Sequence, residues 1–256
     1  NTALLSLSAV SYKSAFRYDM KAINELAKEK GALVLWDLSH AAGAVPVNLA
    51  TSNTDLAVGC TYTYLNGGPG APAFLYVNKK LQDKLNNPIW SWFGHKAPFE
   101  FDPVYKPHSS IQKFAVSTPH ILSLDPVING VALLLDAGME KLWSKSKAQT
   151  AFLCEMIRNE LNKYGFIIGS PERDSERGSH IALQHKEAYR ISAALINPRS
   201  SITVILPDFR PDNTIRLGIC PLYNSFRELV ITVERIIQVM ETSEYEHFSN
   251  DKPEVV

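Results

Sequence analysis

The chain begins with a short apolar run, Ala3 to Val10, which predicts a buried strand. Asp19 then precedes MKAINELAKEKG, where Ala22, Ile23, Leu26 and Ala27 recur at helical spacing. The aspartate is placed to cap that helix and Gly31 to end it. ALVLW (32–36) is an unbroken apolar run ending at Asp37. Continuous rather than alternating apolar residues suit a strand covered on both faces of a parallel sheet. Strand, helix, strand is the βαβ signature. It puts Asp37 at the carboxyl end of the second strand, where open α/β sheets bind ligands. Further strands are predicted over Asp55–Cys60 and Ala73–Val77, joined through TYTYLNGGPGAP (61–72).

Residues 88–118 are rich in aromatic residues and proline and show no period, so they read as a long irregular segment. Two long helices are predicted next, Pro119–Leu142 and Ser144–Tyr164, the second stopped by Gly165. From Phe166 the pattern changes to short strands: FIIG, HIALQH, ITVIL (202–206) and TIRLGI. They surround a helix at Glu187–Ile196, and an amphipathic helix follows from Ser225 to Glu241. The tail after Tyr245 is polar and expected to fray. The reading is an α/β fold: residues 1–130 form part of a large domain with a mostly parallel sheet. Residues 131–256 form a linking long helix and a small α+β domain.

Composition narrows the function classes. Lys+Arg and Asp+Glu both number 26, so the net charge is zero and nothing electrostatic favours nucleic acid or an acidic membrane. The three cysteines, Cys60, Cys154 and Cys220, are far apart and form no CxxC pair. That argues against a zinc site or disulfide framework, and for small buried hydrophobes in a reducing, cytoplasmic setting. No apolar run reaches membrane-spanning length and no signal-peptide pattern opens the chain. The first residue is Asn1 rather than Met, as expected of a processed chain or a piece of a longer one.

Four clusters could carry chemistry. In Asp37-Leu38-Ser39-His40, a carboxylate leaves a buried strand and the histidine can fold back toward it. The plainer reading is that Asp37 or Ser39 caps a helix. The functional one is that a buried carboxylate keeps a pyridine nitrogen protonated, making the ring an electron acceptor. Tyr62-Thr63-Tyr64-Leu65-Asn66-Gly67-Gly68-Pro69-Gly70 must turn tightly and use positive φ. It is neither a Walker A motif nor a dinucleotide fingerprint. Trp90-Ser91-Trp92-Phe93-Gly94-His95 is either a satellite core, the better reading from residue type alone, or a stacking wall for a flat ligand. Arg216, in TIRLGICPLYNSF, either packs its stem on a strand or grips a carboxylate with its planar fork. Arg177-Gly178-Ser179-His180 reads as a turn into a strand, and Asp208-Phe209-Arg210 as a local ion pair. His108, His120, His185 and His247 lack metal-ligand spacing.

Taken in order, WDLSHAAGAVPVNL (36–49), GCTYTYLNGGPGAPAFLYV (59–77), WFGH (92–95), RGSH (177–180), DFR (208–210) and IRLGICPLYNSF (215–226) resemble the kynureninase family. These are fold-type-I enzymes of the class V aminotransferase superfamily that use pyridoxal 5'-phosphate (PLP). The resemblance implies a homodimer that hydrolyses L-kynurenine or 3-hydroxykynurenine to an anthranilate and L-alanine. That reaction serves tryptophan breakdown and NAD synthesis. By position, Asp37 matches the carboxylate on the pyridine nitrogen and His40 the pocket histidine beside it. Tyr62 matches the tyrosine at the cofactor phosphate that is implicated in proton transfer. Trp92 and Thr118 match cofactor contacts supplied by the partner subunit, and Arg216 matches the arginine that holds the substrate α-carboxylate. Asp37, the 62–70 turn and Arg216 are thus expected to serve one pocket.

Two departures matter. The family reads Tyr-Lys-Tyr where this chain reads Tyr62-Thr63-Tyr64. The lysine forms the Schiff base with the cofactor and then moves protons; threonine has no amine and does neither. Lys79 and Lys80 lie well away from the turn. Second, only about the last three-fifths of a family member is represented, without the part that binds the phosphate and stacks on the ring. The chain is therefore expected to be inactive as it stands, with a sheet edge and an apolar face left open. Three hypotheses follow: a kynureninase whose Thr63 is artificial, erroneous or a recent loss; a non-catalytic binding or dimer-partner subunit; and a relative with different chemistry, such as a cysteine desulfurase or class V aminotransferase. The last ranks lowest, because such enzymes also need the lysine and Cys60 falls in a predicted strand.

Overall fold

A computed structural model describes residues 2–199 and 201–251. The chain divides into two compact units. The first takes residues up to Ala9, then Asp19–Gly43 and Val47–Asp136; the second takes Val10–Tyr18, Ala44–Pro46 and the residues from Ala137 on.

The first unit is built on strands β1 (Leu4–Ser8), β2 (Leu33–Asp37), β3 (Leu56–Cys60) and β4 (Ala73–Val77), in that spatial order. β1 and β3 run parallel to β2, and β4 returns antiparallel to β3. Helix α1 (Met20–Glu29) makes the crossover from β1 to β2. Asp19 caps it, its carboxylate accepting from Ala22 N at 3.1 Å. The buried Asn24 of α1 accepts the Trp36 indole N–H at 2.8 Å and donates to Ser52 O, pinning helix to sheet. Val34 and Trp36 are fully buried, while Leu33, Leu35 and Asp37 are only half-buried. The unbroken apolar run therefore does not mark a strand covered equally on both faces: α1 packs on the Trp36 side, and the side of Leu33 and Leu35 stays partly open. A one-turn helix α2 (Lys79–Gln82) follows β4, and residues 88–118 are irregular apart from short 3-10 turns.

The two long helices are α3 (Ile121–Ala137) and α4 (Met139–Met156). The break falls at Gly138 rather than at the predicted residue 143, because Gly138 takes φ +82°, which no helix allows. α4 continues through a π turn, Ile157–Leu161, and a 3-10 turn to Gly165.

In the second unit β5 (Ile167–Ile168), β6 (His180–Gln184), β7 (Asp208–Arg210) and β8 (Thr214–Gly218) form an antiparallel sheet ordered β5-β6-β8-β7. Ile181, Leu183, Ile215 and Leu217 point to one face. There they pack with Leu153 and Ile157, with Ile191 and Leu195 of α5 (Ala188–Ile196), and with Val233, Ile236 and Val239 of α6 (Phe226–Glu241). Alternation then puts Ala182, Arg216, Asp208 and Arg210 on the other face. ITVIL, predicted as a strand, is not one: Ile202 is fully exposed, and the strand beside β8 is Asp208–Arg210. Pro207 between them has no N–H to donate to a ladder. α6 opens on a capping box, Ser225 with Glu228.

Candidate functional site

β2 and β3 lie side by side and parallel, so their carboxyl ends deliver Asp37 and Cys60 to one edge of the sheet. Past Asp37 the chain turns sharply: its carboxylate accepts from Ser39 N at 2.8 Å, and Ala41 N and Ala42 N both donate to Leu38 O. A run of turns follows, not a helix, so the helix-cap reading of Asp37 gives way to a turn held by its own carboxylate. His40, on that turn, is half-buried.

The 61–72 segment packs onto this turn. Thr63 Oγ1 donates to Ser39 O at 3.0 Å and lies 3.3 Å from the Cys60 thiol. Cys60 N donates to Ser39 Oγ at 3.3 Å. Gly43 sits so close that a Cβ there would lie 2.6 Å from Tyr64 O. Asn66, Gly68 and Gly70 all take the positive φ expected of the turn. The structure thus brings Asp37 and Thr63 to one edge through Ser39, with Tyr62 beside them and 54 % exposed.

Trp92 starts a 3-10 turn, Trp92–Gly94. Its indole N–H donates to Pro98 O at 2.6 Å and its ring meets Phe99 edge-on. Trp90, Trp92, Phe99 and Phe101 are largely exposed, so the aromatic stretch is not the satellite core that residue type favoured. Instead Trp90, Trp92, His95, Phe101, Asp102 and Tyr105 line an open cavity of about 420 Å³. Thr118 is exposed, just past Ser117 with its φ of +67°.

Arg216 belongs to the second unit. It stands opposite Asp208 across the β7–β8 pair and opposite the small Ala182 of β6. Its guanidinium donates through Nη2 to Asp208 and through Nη1 to Tyr12 O at 3.0 Å, and its side chain is 14 % exposed. Arg210 donates to the same Asp208 oxygen at 2.6 Å. The local pair expected at 208–210 exists, but Asp208 holds Arg216 as well, which the strand assignment of ITVIL had hidden. Arg177 is buried and donates to Pro171 O, Glu172 O and Thr150 Oγ1 in the turn that leads to β6. Ser39 and Cys60 stand out in the sequence for other reasons; that they meet Thr63 follows only from the pairing of β2 with β3.

Residues 142–236 match the kynureninase C-terminal domain. Over 241 residues the chain is 36 % identical to kynureninase of Pseudomonas fluorescens, an alignment covering 94 % of this chain and 57 % of that protein. Among solved structures it is similar to the cysteine desulfurase of Thermococcus onnurineus, with TM-score 0.77 and 16 % identity over 93 % of this chain and 60 % of that one. A C-DES variant with glycine covalently linked to its PLP cofactor matches with TM-score 0.78 and 14 % identity, covering 92 % and 60 %. At such identities the structures establish the fold, that of PLP-dependent desulfurases and class V aminotransferases, as expected. Within that fold the sequence similarity is to kynureninases, and the chain spans 57 % of the length of the P. fluorescens protein.

Proposed function

We propose that this chain carries part of a kynureninase-type PLP site but does not itself hydrolyse L-kynurenine to anthranilate and L-alanine. The carrying observation is the environment of Thr63. In the position that resembles the family lysine, its hydroxyl is tied to Ser39 O and faces the Cys60 thiol. No lysine or arginine occurs between Lys30 and Lys79, so no neighbouring amine substitutes within the turn.

The residues fit the cofactor on one side only. Asp37, at the carboxyl end of β2, is a suitable partner for a protonated pyridine nitrogen, and PLP held there would supply an electron sink. On the other side a hydroxyl stands where covalent attachment needs an amine. No catalytic step through the cofactor follows for this chain. Arg216 supplies the carboxylate-binding cation, and Tyr62 a phenol half in solvent. In this reading the substrate is L-kynurenine or 3-hydroxykynurenine, the assembly is a cytoplasmic homodimer, and Trp92 and Thr118 serve the partner subunit's cofactor.

A second reading, a non-catalytic dimer-partner subunit, is favoured by exposed apolar surface on the first unit. Trp90, Phe99 and Phe101, with Ile121, Leu122, Ile128 and Leu135 of α3, are all exposed there. Surface of that kind marks an association site.

The test uses the complete gene product and its Thr63→Lys form, each given PLP. The parent is expected to form no anthranilate and no borohydride-reducible cofactor–protein linkage. Thr63→Lys should gain both, with turnover rising by several powers of ten. Anthranilate formation or a reducible linkage in the parent sinks the proposal. Stable association of the parent with an active homologue, without turnover of its own, supports the second reading.

A further inference from the structure

Arg216 is not alone on its face of the sheet. β7 and β8 pair so that Asp208 stands directly opposite Arg216, and Arg210 lies two residues along β7 on the same face. One carboxylate oxygen, Asp208 Oδ2, accepts from both guanidinium groups. Tyr12 O accepts a second N–H of Arg216 from outside the sheet. On its other side Arg216 stands opposite the small, buried Ala182 of β6. Two arginines share one carboxylate, so this cluster carries a net charge of one positive. Its most buried cation is held from two directions by groups that do not belong to a ligand.

A guanidinium grips a carboxylate well only when its plane is fixed, because a two-point contact fails on small rotations. A free arginine side chain loses rotamer freedom on binding, and a side chain already held loses less. We infer that Asp208 is a positioning residue: it orients Arg216 for an amino-acid carboxylate, while Arg210 offsets its charge so that the site stays attractive to an anion. The inference rests on Arg216 being the carboxylate-binding arginine of the proposed function. It adds a role for Asp208 that the ion pair alone does not demand. A merely structural aspartate would leave ligand preference unchanged, and an aspartate that only competed for Arg216 would weaken it.

The experiment compares two probes on the complete gene product: L-kynurenine, and kynuramine, which lacks only the carboxylate. Binding is followed by tryptophan fluorescence or ligand-observed NMR, so turnover is not needed. The parent is expected to prefer L-kynurenine. Arg216→Met should abolish the preference. Asp208→Asn should reduce it about tenfold, the scale of one misaligned charge-assisted hydrogen bond, and Asp208→Glu should restore part of it. Thermal melts of each variant confirm that it is folded. If Asp208→Asn leaves the preference unchanged or raises it while Arg216→Met abolishes it, the positioning role is overturned and the carboxylate site stands. If the parent has no preference, or Arg216→Met keeps it, the carboxylate site itself is refuted and the positioning role falls with it.

Discussion

The Thr63 hydroxyl donates to the carbonyl oxygen of Ser39 across 3.0 Å, joining the turn after β3 to the turn after β2. Pairing of β2 with β3 ends at Asp37 and Val58, so this bond helps fasten two loops that lie beyond that pairing. Thr63→Val keeps the shape and removes the donor, leaving a partly buried carbonyl without it. The loss is expected to be about 1 kcal/mol, a fall of a few degrees in melting temperature for a chain of this size. Thr63→Ser keeps the hydroxyl and should lose less. Circular dichroism melts of the three forms decide it; a valine form as stable as the parent shows that the bond contributes nothing.

Gly43 tests how tightly those loops are packed. It takes φ +83°, and a Cβ there would fall 2.6 Å from Tyr64 O, a backbone atom that cannot swing aside. Gly43→Ala therefore combines strain with a clash and should cost about 2 kcal/mol or more. Gly70 has nearly the same φ, +81°, but nothing within 4 Å of the added carbon. Gly70→Ala should show the strain alone, about 1 kcal/mol. Urea midpoints of the pair separate the two effects, and equal losses would mean that the loops part easily.

What could be read from the sequence was local. Asp19 announces the start of α1 because a cap acts over three residues, and Asp37 is placed at a strand end by the apolar run before it. The helical period from Ser225 to Glu241 marks α6 in the same local way. What could not be read depended on pairing. Ile202, Val204 and Leu206 alternate like a strand, yet they are exposed, and the place beside β8 goes to Asp208–Arg210. The contact of Asp208 with Arg216 follows from that register, and so does the meeting of Ser39 with Thr63 across 24 positions. Leu33 and Leu35 are as apolar as Val34, so sequence could not show that α1 covers only one side of β2.

His185 should make the second unit acid-sensitive. Its Nδ1 accepts from Glu187 N at 3.0 Å, so the neutral ring carries its proton on Nε2, which donates to Tyr164 O at 3.1 Å. Burial, opposed only in part by the Tyr164 carbonyl and Glu187, holds its pKa below the ordinary 6.5. The unfolded chain then takes up the proton first as pH falls. The contribution is fully present above about pH 6.5, declines as pH drops through that value, and levels off once the folded ring is protonated too. The difference in melting temperature between the parent and His185→Gln should therefore depend on pH between about 7 and 5. A constant difference across that range would assign the acid response to other groups.

Arg235 and Glu244 form the most deeply buried ion pair among the described residues, at 2.9 Å with both side chains 1 % exposed. Arg235 also donates to Ala194 O and Gln238 Oε1, and Glu244 accepts from Arg199 N at 2.5 Å, so the pair ties α5, α6 and the chain after α6 together. Removing one partner strands a charge, at a cost of about 3–5 kcal/mol. The two single variants should nevertheless differ with pH. In Arg235→Met the stranded carboxylate can take a proton, because burial raises its pKa, so part of the loss at pH 7 should return near pH 5. In Glu244→Gln the stranded guanidinium cannot give up its proton, and no such recovery is expected. The double variant Arg235→Met/Glu244→Leu leaves no charge behind and should lie closer to the parent than either single change. Urea unfolding of all three at both pH values tests this. If both single variants respond to pH alike, the stranded charge is not what destabilises them, and lost packing around α6 is.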